Sequence, residues 1–320
     1  MIITYLNQDN ALKKSENYVL DESTIWIDLF NISDDEERLV ESFLGIDVPT
    51  LEEVKQIEVS RRLYVENEAL YITTVQLTVA ESDIPTTHSV TFILHKHRLI
   101  TVRYTELKVF SVFANKLGKQ LINCYYTADD IFLELLRSVV ERLADILESI
   151  REEIDLCSKK IFAKNMPNEK VEYREILERI GCSGDLLSKS RESLVSLMRA
   201  VHHVLQSSDF CCDEQKMICL QTIFTDINSL SDFAHFLSGE LNFILDATLG
   251  MIAIEQNDII RIFSIVAVLF LPPTLIASIY GMNFDFMPEL KYHYGYPIAI
   301  LLMLLSIFLT YKFFKNKKWM

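Results

Sequence analysis

Several things missing from this sequence narrow what it can do. There is no Gly-x-x-x-x-Gly-Lys-Ser/Thr loop and no persuasive catalytic constellation, so neither nucleotide-driven work nor enzymatic chemistry finds support in it. Among the six cysteines no Cys-x-x-Cys spacing occurs; Cys211, Cys212 and Cys219, with His202 and His203 nearby, read as free thiols rather than a soft-metal site. Cations are short: 31 Lys and Arg against 45 Asp and Glu leave a net charge of -14, which excludes a nucleic-acid partner held by ordinary electrostatics. The start, from Met1 to Asn10, has neither a basic nor an apolar leader region, so no cleaved export signal is expected. Repeats, low-complexity tracts and flexible linkers are also missing. Most telling, no charged side chain falls between Ile262 and Tyr280.

That uncharged run makes a helix roughly 28 Å long, enough to cross a bilayer core. A second run, Tyr296 to Tyr311, reaches spanning length once Phe313 and Phe314 are included. Lys312, Lys315, Lys317 and Lys318 gather just after it, whereas the connection between the runs carries Asp285 and Glu289 against Lys291. By the positive-inside rule the tail is cytoplasmic and the connection external. Two spans return the chain to its starting side, so both termini and all six cysteines face the reducing cytosol, the cysteines as free thiols.

The expected fold is an α+β cytoplasmic domain followed by long helices and a two-span membrane hairpin. Over residues 1–128, strands are expected at Ile2–Leu6, Thr24–Leu29, Arg62–Glu66, Leu70–Val79, Val90–Leu94 and Leu99–Arg103, with capping-box spacing at Ser33/Glu36 and Thr50/Glu53 opening helices between them. A further helix near Glu106 closes this domain. Residues 129–213 switch to three- and four-residue periodicity and read as a helical hairpin, with a turn at Met166-Pro167-Asn168. From Glu214 no proline intervenes before Pro272, so a stalk over 214–258 runs into the first span at 259–280. A loop at 281–295, a second span at 296–314 and a basic tail at 315–320 complete the chain.

The residues around the first span carry a resemblance. Glu255-Gln256-Asn257, Leu271-Pro272-Pro273-Thr274, Tyr280-Gly281-Met282-Asn283-Phe284, Met287-Pro288-Glu289-Leu290 and Gly295-Tyr296-Pro297, in that order, resemble the CorA family of magnesium transport proteins. The likeness extends to Trp26-Ile27-Asp28-Leu29 and is densest from Asp246 onward. It implies a funnel-shaped homopentameric channel of the cell inner membrane, carrying Mg²⁺ and secondarily Co²⁺ and Ni²⁺, with Mg²⁺ also as regulator, no other cofactor, and membrane lipid and further copies of the chain as partners.

A two-span hairpin cannot enclose water, so conduction requires several copies around one bore. At 100° per residue Asn257, Ile260, Ser264, Ala267, Leu271, Thr274 and Ser278 share one broad face of the first span, the expected lining. The bland alternative has the hydroxyls bonding back to their own helix. The resemblance makes Gly281, Met282 and Asn283 the selectivity filter, with the Asn283 amide facing the ion; the bland alternative is that Asn283 simply caps the helix. It also puts Ile260 and Phe263 among the lining residues and an apolar constriction at Leu271, with Glu289 in the outer loop. The lining contains no carboxylate within the membrane. Mg²⁺ gives up its inner water reluctantly, so neutral oxygens holding the hydrated ion suit this line. Asp226, Asp232 and Asp246 are candidate regulatory ligands between copies, Asp246 also being readable as part of a solvated helix face. Other readings are a zinc transporter of a related branch and a membrane-anchored sensor or scaffold.

Overall fold

The computed structural model describes residues 1–8, 11–15, 20–54, 62–79, 85–119, 127–162, 172–207, 213–282 and 293–317. It divides into two compact units, Met1–Leu245 and Asp246–Met320.

The first unit is built on a seven-stranded sheet: β1 (Ile2–Gln8), β2 (Ala11–Lys14), β3 (Thr24–Phe30), β4 (Leu63–Glu66), β5 (Ala69–Val79), β6 (Pro85–His95) and β7 (Arg98–Arg103), in the order β2-β1-β3-β7-β6-β5-β4. All neighbours are antiparallel except β3 and β7, which run parallel with Trp26 beside Leu99 and Phe30 beside Arg103. Helices α1 (Asp34–Leu44) and α2 (Leu51–Val54) leave β3, and α3 (Lys108–Lys119) follows β7. Both capping boxes close as their spacing predicts. The Ser33 N–H donates to Glu36 Oε2 at 3.0 Å, and the Thr50 N–H to Glu53 Oε2 at 2.9 Å. α1 ends at Gly45, whose φ of +70° is the left-handed conformation glycine adopts without strain.

Alternation along the strands sends side chains to two faces. One face packs Ile27, Leu29, Tyr71, Ile93, Ile100 and Val102 against Val40 and Leu44 of α1. On the other, Trp26 stacks on Tyr5 at 4.2 Å between ring centroids, and Phe92 meets Phe132 edge-on at 5.4 Å. Asp28 is 2% exposed and fully bonded: the Arg103 guanidinium grips it at 2.8 and 3.0 Å, and the Thr101 hydroxyl donates to it at 2.8 Å. Arg103 lies over Phe30 and Phe110, 4.5 and 5.0 Å from their centroids, so the charge is held between rings as well as paired. Trp26 Nε1 donates to Thr101, tying the tryptophan to the same network.

Beyond the sheet, α4 (Ala128–Phe162) and α5 (Tyr173–Gln206) are long helices with single buried stripes, Ile131 to Ile161 on one and Ile176 to Val204 on the other. α5 also covers a sheet edge. β4 pairs β5 from Ala69 to Ile72, the Thr73 N–H donates to the Arg62 carbonyl at 2.7 Å, and beyond that point β5 meets α5. There the Val75 N–H donates to Ser196 Oγ at 2.9 Å and the Ser193 hydroxyl donates to the Val75 carbonyl at 2.8 Å. Two α5 serines thus satisfy edge groups that another strand would otherwise pair.

α6 (Glu214–Tyr280) is one helix of 67 residues that continues through Pro272 and Pro273. Neither proline has an N–H, so the carbonyls four residues back, Val268 and Leu269, lose their ladder partners. In the second unit the remainder of α6 is joined by α7 (Gly295–Asn316). Differences from the sequence expectation lie at the sheet margins: β2 is additional, β6 begins at Pro85 rather than Val90, and α3 starts at Lys108.

Candidate functional site

α6 and α7 are long and apolar enough to cross a membrane, and neither is wrapped by the rest of the chain as a core helix would be. Each hides one stripe. On α6, Ile265 is buried and Leu269, Pro272, Pro273, Ile276 and Tyr280 are half-buried; on α7 Ala299 is buried and Met303, Ile307 and Thr310 are half-buried. Spacings of three and four residues on both, within one unit, fit side-by-side packing.

The predicted lining lies elsewhere on α6. Asn257, Ile260, Phe263, Ala267, Leu271, Thr274 and Ser278 are all exposed. On a wheel of 100° per residue this line is centred about 180° from the shielded stripe. The half of α6 turned away from its shielded side is therefore the half that pattern reasoning picked. Sequence reasoning missed the shielded stripe itself, because Ile265, Leu269 and Ile276 sit in a run where nearly every residue is apolar. It also missed the partnerless carbonyls of Val268 and Leu269, for which the Pro272-Pro273 pair is the visible signal.

The hydroxyls on α6 bond locally. Ser264 donates to the Ile260 carbonyl at 2.8 Å and Thr274 to the Phe270 carbonyl at 2.7 Å. Such bonds use the hydroxyl hydrogen and leave oxygen lone pairs available as acceptors. At the helix end the Gly281 N–H donates to the Ala277 carbonyl at 2.9 Å and the Met282 N–H to the Ile279 carbonyl at 3.3 Å. A Cβ on Gly281 would lie 3.2 Å from the Ala277 oxygen, so glycine fits here because the backbone closes tightly on the preceding turn. Asn283 and Glu289 lie outside the described residues, as does most of the connecting loop.

Asp226, Asp232 and Asp246 are exposed along α6. Among the described residues no three His, Cys, Asp or Glu side chains gather as a metal site, so a single chain does not bring these aspartates together. Cys219 accepts a bond from Arg137 at 3.2 Å, and Cys211 and Cys212 fall outside the described residues.

A family model described as CorA-like Mg²⁺ transporter protein matches residues 21–316. The chain belongs to that family. CorA-like proteins are transporters, so the enzyme class is set aside. Two relatives named Magnesium transport protein CorA support the assignment: the Pasteurella multocida protein is 34% identical over 299 residues, spanning 93% of this chain and 92% of its own, and the Escherichia coli K12 protein is 35% identical over 301 residues with the same coverage. The complete structure of the CorA magnesium transporter from Methanocaldococcus jannaschii superposes with a TM-score of 0.78 at 20% identity, covering 100% of this chain and 99% of that one. At that identity the likeness speaks for the CorA fold.

Proposed function

We propose that this chain forms a passive magnesium channel: several copies, five by the family resemblance, ring a bore lined by the exposed half of α6 and carry Mg²⁺ inward across the inner membrane. The observation that carries the reading is the placement of that line, uncharged from Ile262 to Tyr280, exposed, and opposite the shielded stripe. In a ring, α7 stands outside and the α6 helices face one another. Asn257 then lies at the inner end of the path, the apolar Ile260, Phe263 and Leu271 follow it, and Thr274 and Ser278 lie toward the outer end.

The chemistry suits a hydrated dication. Water polarised by Mg²⁺ donates hydrogen bonds outward, so the wall needs acceptors. Thr274, whose hydrogen is committed to the Phe270 carbonyl, offers its oxygen to the bore. Asn283 at the outer mouth supplies a neutral amide oxygen, with Gly281 and Met282 setting the backbone that holds it. Rings of Ile260, Phe263 and Leu271 close the path by excluding water. Inward flux needs no coupling ion: about 2.3 kcal/mol per charge per 100 mV makes roughly 4.6 for a divalent ion, a concentration ratio on the order of 10³. Co²⁺ and Ni²⁺, with similar hydrated shells, are secondary cargo. Both termini are cytoplasmic, by the lysines that follow the second span.

Regulation follows from charge. Each copy contributes a net -14, and like charges facing one another between copies repel. Internal Mg²⁺ bridging carboxylates such as Asp226, Asp232 or Asp246 between neighbours relieves that repulsion and holds the gate shut; depletion opens it.

The test is metal flux into proteoliposomes at a set potential, with Mg²⁺, Co²⁺, Ni²⁺ and Zn²⁺ compared and internal Mg²⁺ varied. Potential-driven Mg²⁺ flux, suppressed by millimolar internal Mg²⁺, is expected. Preference for Zn²⁺ would transfer the chain to a zinc function, and no flux of any metal would leave the hairpin as an anchor.

A further inference from the structure

Beside the start of β4, a cavity of about 520 Å³ opens between β5 and one face of α5. α5 contributes Ser188, Arg191, Glu192, Ser196 and Arg199, whose spacing places them on a single stripe, and Arg62 stands at the start of β4. In a chain with a net charge of -14, this wall sets three arginines against one glutamate. Other cations of α5 are neutralised in place: Arg174 by Glu178, Arg179 by Glu153 and Glu175, and Lys189 by Asp185. Among the described residues, neither Arg191 nor Arg199 has a carboxylate at ion-pair distance, despite Glu192 on the same stripe.

The hydroxyl chemistry matches the charge. Ser196 Oγ already accepts the Val75 N–H, so its own hydrogen is left to donate. Ser188 adds a second hydroxyl at the other end of the stripe. Two guanidinium forks and two hydroxyls make a wall rich in donors, which asks for an anion rich in acceptors. Arg191 and Arg199 are about 12 Å apart along the helix axis, longer than one phosphate or carboxylate group. No aromatic side chain is among the described lining residues, so nothing there stacks on a base.

We propose that this cavity binds an oligophosphate, the di- or triphosphate portion of a small molecule, lying along α5 with Arg191 and Arg199 gripping it, Ser196 donating between them and Ser188 donating just beyond Arg191. Arginine suits each end because its planar fork meets two phosphate oxygens at once. Glu192 limits affinity and sets a minimum charge on the ligand.

Isothermal titration calorimetry of the full-length protein in detergent, in magnesium-free buffer so that chelation does not contribute, tests this with sodium tripolyphosphate, orthophosphate and citrate. Saturable binding of tripolyphosphate is expected, weakened on the order of tenfold or more by Arg191→Ala or Arg199→Ala, as for loss of a charge-assisted bond. Glu192→Gln should tighten it, and Arg191→Lys with Arg199→Lys should give an intermediate affinity, since charge remains and the fork is lost. Near-ultraviolet circular dichroism checks that each variant keeps its fold. The site is wrong if tripolyphosphate does not bind at millimolar concentration, if the double alanine variant binds as the parent does, or if orthophosphate or citrate binds as tightly. Binding is read without flux, so the outcome is independent of the channel reading.

Discussion

The two units of this chain treat apolar residues in opposite ways. In Met1–Leu245 the large hydrophobics turn inward: Trp26, Ile27, Leu29, Phe92, Ile100 and Phe132 are fully buried. In Asp246–Met320 they turn outward: Phe263, Leu271, Leu301, Leu304 and Phe308 are each about 60% exposed or more, and among the described residues Ile265, Ala299 and Phe314 are the buried hydrophobics. One unit closes a core of its own, while the other leaves a largely apolar surface exposed. Mutations should therefore separate folding from conduction according to the unit they touch.

The sharpest separation is expected at Asn283. In the proposed channel Asn283→Ala removes the amide oxygen that meets the ion, and a methyl group accepts no bond from hydration water. Mg²⁺ uptake should fall to background while size-exclusion profile and circular dichroism stay those of the parent; normal uptake would remove Asn283 from the filter. The opposite failure is expected at Asp28. Asp28→Ala leaves Arg103, 8% exposed, without its partner, a loss of about 3–5 kcal/mol for a broken buried pair. Chemical denaturation followed by tryptophan fluorescence should show it, and an unchanged midpoint would mean that the pair is dispensable.

A smaller effect is expected at Gly281→Ala. The added Cβ meets the Ala277 oxygen at 3.2 Å, so the last turn must shift by a few tenths of an ångström. Uptake should drop on the order of tenfold if filter geometry is that strict, with folding unaffected. Equal uptake would show that the turn gives way without disturbing the mouth.

The smallest effect concerns Asp47 and Glu37 in the first unit. Burial, a hydrogen bond with Glu41 and the charges of Glu41, Glu53 and Glu66 raise the Asp47 carboxyl above its usual range, and burial with Glu41, Asp34, Asp47 and Glu53 raises Glu37. A raised folded-state pKa means that the folded chain holds the proton more tightly than the unfolded one. These two groups thus favour folding most below their unfolded values, and that contribution is lost as pH rises through the folded ones. Asp47→Asn should raise the melting temperature slightly at pH 7 and lose that advantage near pH 4; a gain at both would assign the effect to something other than charge.

Legibility followed the same division. Long helices with caps were readable because periodicity and a capping box are local signals: Ser33 with Glu36, Thr50 with Glu53, and the stripe from Ile131 to Ile154 all sit where pattern placed them. β2 was not, since Ala11-Leu12-Lys13-Lys14 has little strand propensity and owes its form to pairing with β1. The polar first half of β6, Thr86 to Ser89, likewise depends on Val75 to Thr78 across from it. In the candidate site the uncharged span and its free face could be read from the sequence. The tight closure at Gly281 could not, because it rests on a contact with the turn before it. The arginine stripe on α5 was spaced for notice, but the cavity it lines depends on its packing beside β5 and the start of β4.

The serines that close the β5 edge carry a consequence for assembly. A bare strand edge polymerises without end, each added strand presenting a new edge, whereas a ring has a last member. With Ser193 donating to the Val75 carbonyl and Ser196 accepting the Val75 N–H, α5 removes an open-ended mode of association from the first unit. In the proposed ring, how many copies join is then left to the helices that close the circle. Replacing both serines by bulkier apolar residues would be expected to convert a counted oligomer into an uncounted one.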